Sequence, residues 1–172
     1  MRTDSQTTTQ EQADLLGTMA AHRGYLLRTL HGMTDEQAGL RPTASELCLG
    51  GIVKHVALME EGWINFIVDG PTAIGPADAA AFERHLAGFL MDGESLDTLV
   101  SRYEGVARRT EELVVSLPTL DVSHPLPEAP WFEAGSSWSA RRALLHIVAE
   151  TAQHAGHADI IRETIDGAKT MG

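Results

Sequence analysis

The sequence is poor in cysteine and in positive charge. Among 172 residues it has one cysteine, Cys48, and 13 lysines and arginines stand against 24 aspartates and glutamates, for a net charge of −11. One cysteine cannot form an internal disulfide, which suits a reducing compartment. We interpret Cys48 as a small core residue, with a reactive thiol or an extra metal ligand as the alternative.

The scarcity of basic residues excludes several classes of partner. A groove for nucleic-acid phosphates needs clustered lysine and arginine, and a membrane surface site needs a basic amphipathic stretch. No apolar run is long enough to span a bilayer, and the first residues, MRTDSQTTTQEQ, lack the apolar segment of a signal peptide. We therefore expect a cytoplasmic protein that binds neither nucleic acid nor membranes.

The sequence also lacks internal repeats and any convincing strand alternation, whereas helical periodicity is frequent. Apolar residues recur at helical spacing in four long stretches, at about 11–30, 49–68, 95–117 and 139–166. Ser139 and Gly167 are suitable caps for the last of them. The length fits one domain over residues 1–172. These features predict an all-α fold, a four-helix bundle.

The segments between these helices are irregular. The first eight residues are polar, and we expect a disordered tail there. Residues 32–46 leave room for one helical turn, and a short helix is predicted near 78–86. Residues 121–137 are rich in proline and glycine, which predicts a long irregular connection before the last helix.

One face of the last helix carries four ionisable side chains. In HIVAETAQHAGHADIIRE (146–163), His146, His154 and His157 all lie within about 40° of Glu150 on a helical wheel. Ile147 and other apolar residues share this face, so the four point inward. Burying them is costly unless they are paired or bind a metal. An internal His–Glu hydrogen-bond network, or a stripe tipped toward the mouth of the bundle, is the alternative.

The second long helix offers a partner for this stripe. His55 shares its face with Ile52, Met59 and Phe66, and Gly62 leaves space beside it. A lone inward histidine is more often a core residue with a satisfied hydrogen bond, but here it can meet the stripe. Glu60 lies about 140° away on the wheel, so we interpret it as a structural carboxylate or as one that supports a metal ligand.

Glu150 and His154 are spaced i, i+4 and can bind one ion together, and His55 from the facing helix would complete the set. Three protein ligands leave a coordination position open, as in catalytic sites. Two imidazoles and one carboxylate suit zinc, and also nickel or ferrous iron. His146 and His157 would then support the ligands or face the substrate. We expect a cavity between the second and fourth long helices, bordered by Gly62 and His157.

Two motifs resemble a known group of proteins. GGIVKHVALMEEGWI (50–64) and WSARRALLHIVAETAQHAGHADIIRETIDG (138–167), with LRP (40–42), resemble the DinB/YfiT-like superfamily of metal-binding four-helix bundles. Its members typically bind a divalent metal through one histidine of the second helix, matched by His55, and an H-x3-H pair of the last. Here the pair becomes Glu150-x3-His154, which departs from the commoner histidine at the earlier position. A glutamate there resembles the metal domain of mycothiol-dependent maleylpyruvate isomerase, which has a further catalytic domain. Because the sequence ends at Gly172, we do not expect that specific activity.

The resemblance implies a function. The superfamily includes low-molecular-weight-thiol transferases and isomerases, hydrolases and members of unknown activity. We therefore expect a metal-dependent, thiol-dependent transferase or isomerase that acts on a small molecule as a homodimer. His157 or His146 would act as its general base. The alternatives are a metal-dependent hydrolase and a non-catalytic metal-binding or stress-response protein.

Overall fold

The computed structural model describes residues 8–75 and 78–170, so the predicted tail falls almost entirely outside the described residues. The four predicted long helices are present within one or two residues of the expected ends. They are α1 (Gln10–Arg28), α3 (Leu49–Asp69), α5 (Leu96–Ser116) and α6 (Ala140–Asp166). The prediction of an all-α bundle is confirmed.

The helix ends follow from local capping chemistry. Thr9 and Gln12 form a reciprocal capping box at the start of α1, and the side chain of Ser139 accepts a hydrogen bond from the Arg142 amide at the start of α6. Gly167 ends α6 in the left-handed region, with φ of 78°. Cys48 is buried and caps α3 by accepting from an amide in its first turn, so it is a structural residue of the core.

The long helices pack in the cyclic order α1, α6, α3, α5, and α5 closes the bundle against α1. Two buried apolar clusters fill the interior. One surrounds the first half of α3 and the second half of α6, with Ile52, Val56 and Ala158. The other surrounds the second half of α3 and the first half of α6, with Phe66 and Ile147. No helix in the described ranges is long and apolar enough to cross a membrane.

Short elements occupy the predicted irregular segments. The single turn α2 (Asp35–Ala38) lies before α3, and a 3-10 turn (Gly70–Ala73) follows it. The short helix α4 (Ala79–Ala87) confirms the prediction near 78–86, and none of its residues is buried. It therefore lies on the bundle surface rather than inside it.

The connection before α6 is more ordered than predicted. β1 (Ser123–Pro125) and β2 (Ser137–Ser139) form an antiparallel pair in which His124 lies opposite Trp138. Strands of three residues are too short to show alternation, so sequence reasoning missed them. The pair is held on the bundle because His124 Nε2 lies 3.1 Å from the carbonyl oxygen of Ile67 and the Trp138 ring stacks on Trp63.

Candidate metal centre and adjoining cavity

The structure brings His55, Glu150 and His154 together. One potential ligand atom from each lies within 4.8 Å of the other two. Glu150 Oε2 lies 3.9 Å from His55 Nε2 and 3.7 Å from His154 Nε2. Two donors bound to one zinc ion at ~2.1 Å cannot lie more than about 4.2 Å apart, and both measured distances fall below that limit. The predicted convergence of α3 and α6 is therefore present.

These three groups are shielded from water to different degrees. The side chains of His55 and His154 are each 9% exposed, and that of Glu150 is 28% exposed. Burial, with His55 nearby, lowers the pKa of His154 to about 4. His154 is thus neutral at pH 7 and has a lone pair to offer. Hydrogen bonding by His55 is the largest influence that lowers the pKa of Glu150, which stays ionised.

His157 and His146 lie on opposite sides of the cluster. His157 Nδ1 lies 3.4 Å from His154 Nδ1, on the side of that ring turned away from Glu150. His146 Nε2 lies 4.0 Å from Glu150 Oε1, and its ring packs edge-on against Trp63 and Trp138. Burial lowers the pKa of His146. Both histidines therefore contact the cluster, but from different directions.

A segment that sequence reasoning did not connect with the site covers His55. The Phe89 ring stacks on the His55 ring, with centres 3.8 Å apart and planes at 17°, and His85 meets it edge-on at 5.4 Å. A close backbone approach makes this possible. A Cβ on Gly51 would lie 1.9 Å from the Phe89 carbonyl oxygen, so no side chain can stand there without moving that segment.

A cavity of about 480 Å³ adjoins the cluster, within the usual size range of small-molecule sites. Its walls come from α3, α6, the turn after α3, the α4 region and the loop between β1 and β2. Its lining residues are His55, Leu58, Met59, Gly62, Trp63, Ala73, Ile74, Ala81, Arg84, His85, Gly88, Trp131, Phe132, His146 and Glu150.

Of the two residues predicted to border this cavity, Gly62 and His157, one does so. Gly62 lines it, and a Cβ built there would meet nothing within 4 Å. His157 does not line it, because it lies behind His154, and His146 takes that place. The missed residues His85, Arg84 and Phe89 come from 71–94. That stretch has a helical pattern but nothing in its sequence to indicate where on the bundle it docks.

A second buried charged group lies elsewhere in the bundle. Glu60 is fully buried and pairs with Arg23 at 2.8 Å, and Thr110 Oγ1 donates to the same carboxylate oxygen at 2.6 Å. Glu60 does not line the cavity. Of the two interpretations of Glu60, these contacts favour the structural carboxylate.

Comparison with known proteins agrees with the motifs and the fold. The model of the mycothiol-S-transferase family matches residues 14–167, which include most of α1, all three residues of the cluster and every residue that lines the cavity. A search of curated proteins finds no match. The matched span covers most of the chain, and the chain therefore belongs to the mycothiol-S-transferase family, within the DinB/YfiT-like superfamily.

Proposed function

We propose that this chain is a metal-dependent transferase that joins the sulfur of mycothiol to an electrophilic carbon of a second substrate. The convergence of His55, Glu150 and His154 at the wall of a substrate-sized cavity carries the proposal. Family membership supports the choice of thiol. A non-catalytic metal-binding protein would not need such a cavity.

The donor set fits a divalent ion. Two imidazoles, which are borderline donors, and one carboxylate, which is a hard donor, suit zinc, with nickel and ferrous iron as alternatives. No lysine or arginine lies within ion-pair distance of Glu150 among the described residues, so an ion would supply the missing positive charge. A divalent ion bound there would lower the pKa of a ligated thiol and make the thiolate available at neutral pH.

The histidine behind the cluster orients one donor. His154 presents Nε2 to Glu150 and Nδ1 to His157, so a hydrogen bond between the two Nδ1 atoms can fix the tautomer that leaves Nε2 unprotonated. His157 thus acts through His154 and not on the substrate. We assign it as a positioning residue.

His146 is better placed to handle a proton, because it lines the cavity. In the reaction the thiol proton passes to His146 Nε2 and the sulfur lone pair attacks the electrophilic carbon. The carbon–sulfur bond forms as the bond to the leaving group breaks, and the leaving group departs with its electron pair. Trp63 and Phe132 exclude water from this region and so keep the sulfur nucleophile poorly solvated.

A thiol-consumption assay tests the proposal. Untagged protein is analysed for bound metal and then incubated with mycothiol and a small alkyl halide, while mass spectrometry follows the thioether product. We expect turnover with mycothiol, and loss of turnover in His154→Ala but not in His22→Ala, a histidine variant on α1 outside the site. Full metal occupancy without consumption of any thiol would reject the transferase and favour the hydrolase or the non-catalytic protein.

The oligomeric state is a separate proposal. We propose a homodimer, and light scattering coupled to size-exclusion chromatography measures the mass directly. A monomer mass at micromolar concentration would reject it without affecting the transferase proposal.

A further inference from the structure

The α4 wall of the cavity carries an arginine whose side chain has no partner among the described residues. Arg84 lies on α4, is exposed and lines the cavity. Its side chain has no ion pair, hydrogen bond or aromatic stacking partner among residues 8–75 and 78–170. The other ionisable groups that line the cavity are Glu150 and three histidines.

An arginine side chain without a partner is unusual among the described residues of this protein. Six arginines form ion pairs: Arg23, Arg41, Arg102, Arg109, Arg141 and Arg162. Two more, Arg28 and Arg142, lie over aromatic rings. Only Arg108, on the outer face of α5, resembles Arg84 in having no such partner within the described ranges, and it lines no part of the cavity. In a protein with 24 acidic residues, an unpaired arginine at a cavity wall is available to a ligand.

The same cavity exposes apolar surface. Trp131 is 68% exposed and Ile74 is 36% exposed, although both are large and apolar and both line the cavity. Phe132 lies beside Trp131. Exposed apolar walls around a concave site favour a ligand with an apolar body, because its binding removes that surface from water.

We propose that Arg84, with Trp131 and Ile74, forms the subsite for the second substrate, and that this substrate is an apolar molecule bearing a carboxylate. The inference rests on the proposed transferase function, whose acceptor it specifies. The guanidinium binds the carboxylate by charge-assisted hydrogen bonds, while the apolar body contacts the tryptophan and isoleucine. A cationic acceptor is repelled by Arg84, and a neutral one makes no use of it.

Binding of an unreactive pair of probes tests this subsite. 4-Phenylbutanoate and 4-phenylbutanamide have the same apolar body and differ in charge, and neither has a leaving group. Trp63 and Trp131 line the cavity and the third tryptophan, Trp138, stacks on Trp63, so intrinsic fluorescence reports occupancy. Titrations use zinc-loaded wild-type protein, Arg84→Gln and the matched charge control Arg108→Gln, with circular dichroism to verify folding.

We expect the acid to bind wild-type protein more tightly than the amide. Arg84→Gln should weaken acid binding about tenfold, as expected for one lost charge-assisted hydrogen-bond pair, and leave the amide within about twofold. Arg108→Gln should change neither. Equal weakening of acid and amide by Arg84→Gln, or equal loss of acid binding in both variants, would overturn the proposal.

Metal-free protein separates the subsite from direct ligation of the ion. If the preference for the acid persists after chelation and vanishes in Arg84→Gln, the arginine holds the carboxylate. The proposal would be overturned if the preference for the acid disappeared with the metal and was unchanged in Arg84→Gln, because the carboxylate would then be a metal ligand. Neither result depends on thiol turnover, so failure of the transferase assay is distinguishable from failure of this subsite.

Discussion

Two buried charged groups in this bundle differ in whether the protein itself balances their charge. In the Arg23–Glu60–Thr110 group, the carboxylate has an arginine at 2.8 Å and a hydroxyl at 2.6 Å. In the His55–Glu150–His154 group, the carboxylate faces imidazoles at 3.7 and 3.9 Å, and burial keeps His154 neutral. The first group is compensated within the protein, and the second is not.

This difference indicates which of the two groups is suited to bind a metal ion. The Glu60 carboxylate has a cation and a hydroxyl donor on its Oε1, although its Oε2 and Arg23 Nε are buried without a hydrogen-bond partner among the described residues, and the group joins α1, α3 and α5. The Glu150 carboxylate lies beside two imidazoles at the wall of a cavity, and burial keeps that of His154 neutral, so this group has donor atoms to offer. Similar residue types in one core thus serve stability in one place and binding in the other.

The largest expected effect comes from breaking the compensated group. Glu60→Leu removes the principal partner of the buried Arg23, since the other, Glu111, is 3.9 Å away and half exposed. We expect the free energy of unfolding to fall by about 3–5 kcal/mol, as for other broken buried ion pairs. Urea denaturation measures it, and calorimetry of zinc binding to the folded variant should show unchanged affinity.

A double variant is the control for that prediction. Arg23→Met with Glu60→Leu removes both charges and should recover most of the lost stability, because no unpaired charge stays buried. If Glu60→Leu alone were as stable as wild type, or lost zinc binding, the assignment of this group as purely structural would be wrong.

The converse experiment removes a donor from the uncompensated group. His154→Ala should lower zinc affinity at least about a hundredfold, since the ~10–16 kcal/mol of a four-ligand zinc site is roughly 3 kcal/mol per ligand. In wild type, a chelator should lower the melting temperature without abolishing the helical signal, because the two apolar clusters persist. The melting temperature of His154→Ala should be the same with and without the chelator. A wild-type protein that unfolds on chelation at room temperature would contradict this.

Sequence reasoning located the donors of this group because helical periodicity fixes which side chains share a face. The ionisable face of α6 and the inward orientation of His55 on α3 each follow from the sequence of a single helix. In a small bundle, two long helices are then expected to pack against each other. Which of His146 and His157 lines the cavity depends on how α6 is rotated about its axis. A difference of tens of degrees decides it, and a helical wheel does not resolve that difference. The packing of Phe89 on His55 depends on a close contact between the Phe89 backbone and Gly51, and no local sequence pattern predicts such a contact.

That contact can be tested directly. Gly51→Ala places a Cβ against the Phe89 carbonyl, at 1.9 Å, so the segment must move away from His55. We expect a loss of about 1–3 kcal/mol in unfolding free energy, and zinc affinity reduced about tenfold because His55 loses its stacking partner. Gly24→Ala on α1, where a Cβ meets nothing within 4 Å, is the control and should stabilise by up to about 1 kcal/mol. Equal zinc affinity in the two variants would mean that Phe89 does not position His55.

The smallest effect is a pH dependence that the uncompensated group imposes on the metal-free protein. Burial lowers the pKa of His154 from the ordinary 6.5 to about 4. Between these values the unfolded chain takes up a proton that the folded protein refuses, so acid favours unfolding. The contribution is fully present above pH 6.5 and is lost as pH falls toward 4, by at most about 3 kcal/mol for the full shift and by less because water screens the partly exposed cluster. Burial lowers the pKa of His146 and His85 too, and both add to the slope.

Urea denaturation in the presence of chelator, at several pH values from 7 to 4.5, measures this slope. Staying at or above 4.5 limits the contribution of Glu150, whose lowered pKa makes its own loss of charge occur at more acidic pH. His154→Gln should flatten the slope in part, since His146 and His85 remain, and His22→Gln should leave it unchanged. Parallel slopes in wild type and His154→Gln would show that His154 accepts a proton as readily in the bundle as in the unfolded chain. Burial would then not disfavour a proton on His154, and the contrast with the Arg23–Glu60 pair would rest on geometry alone.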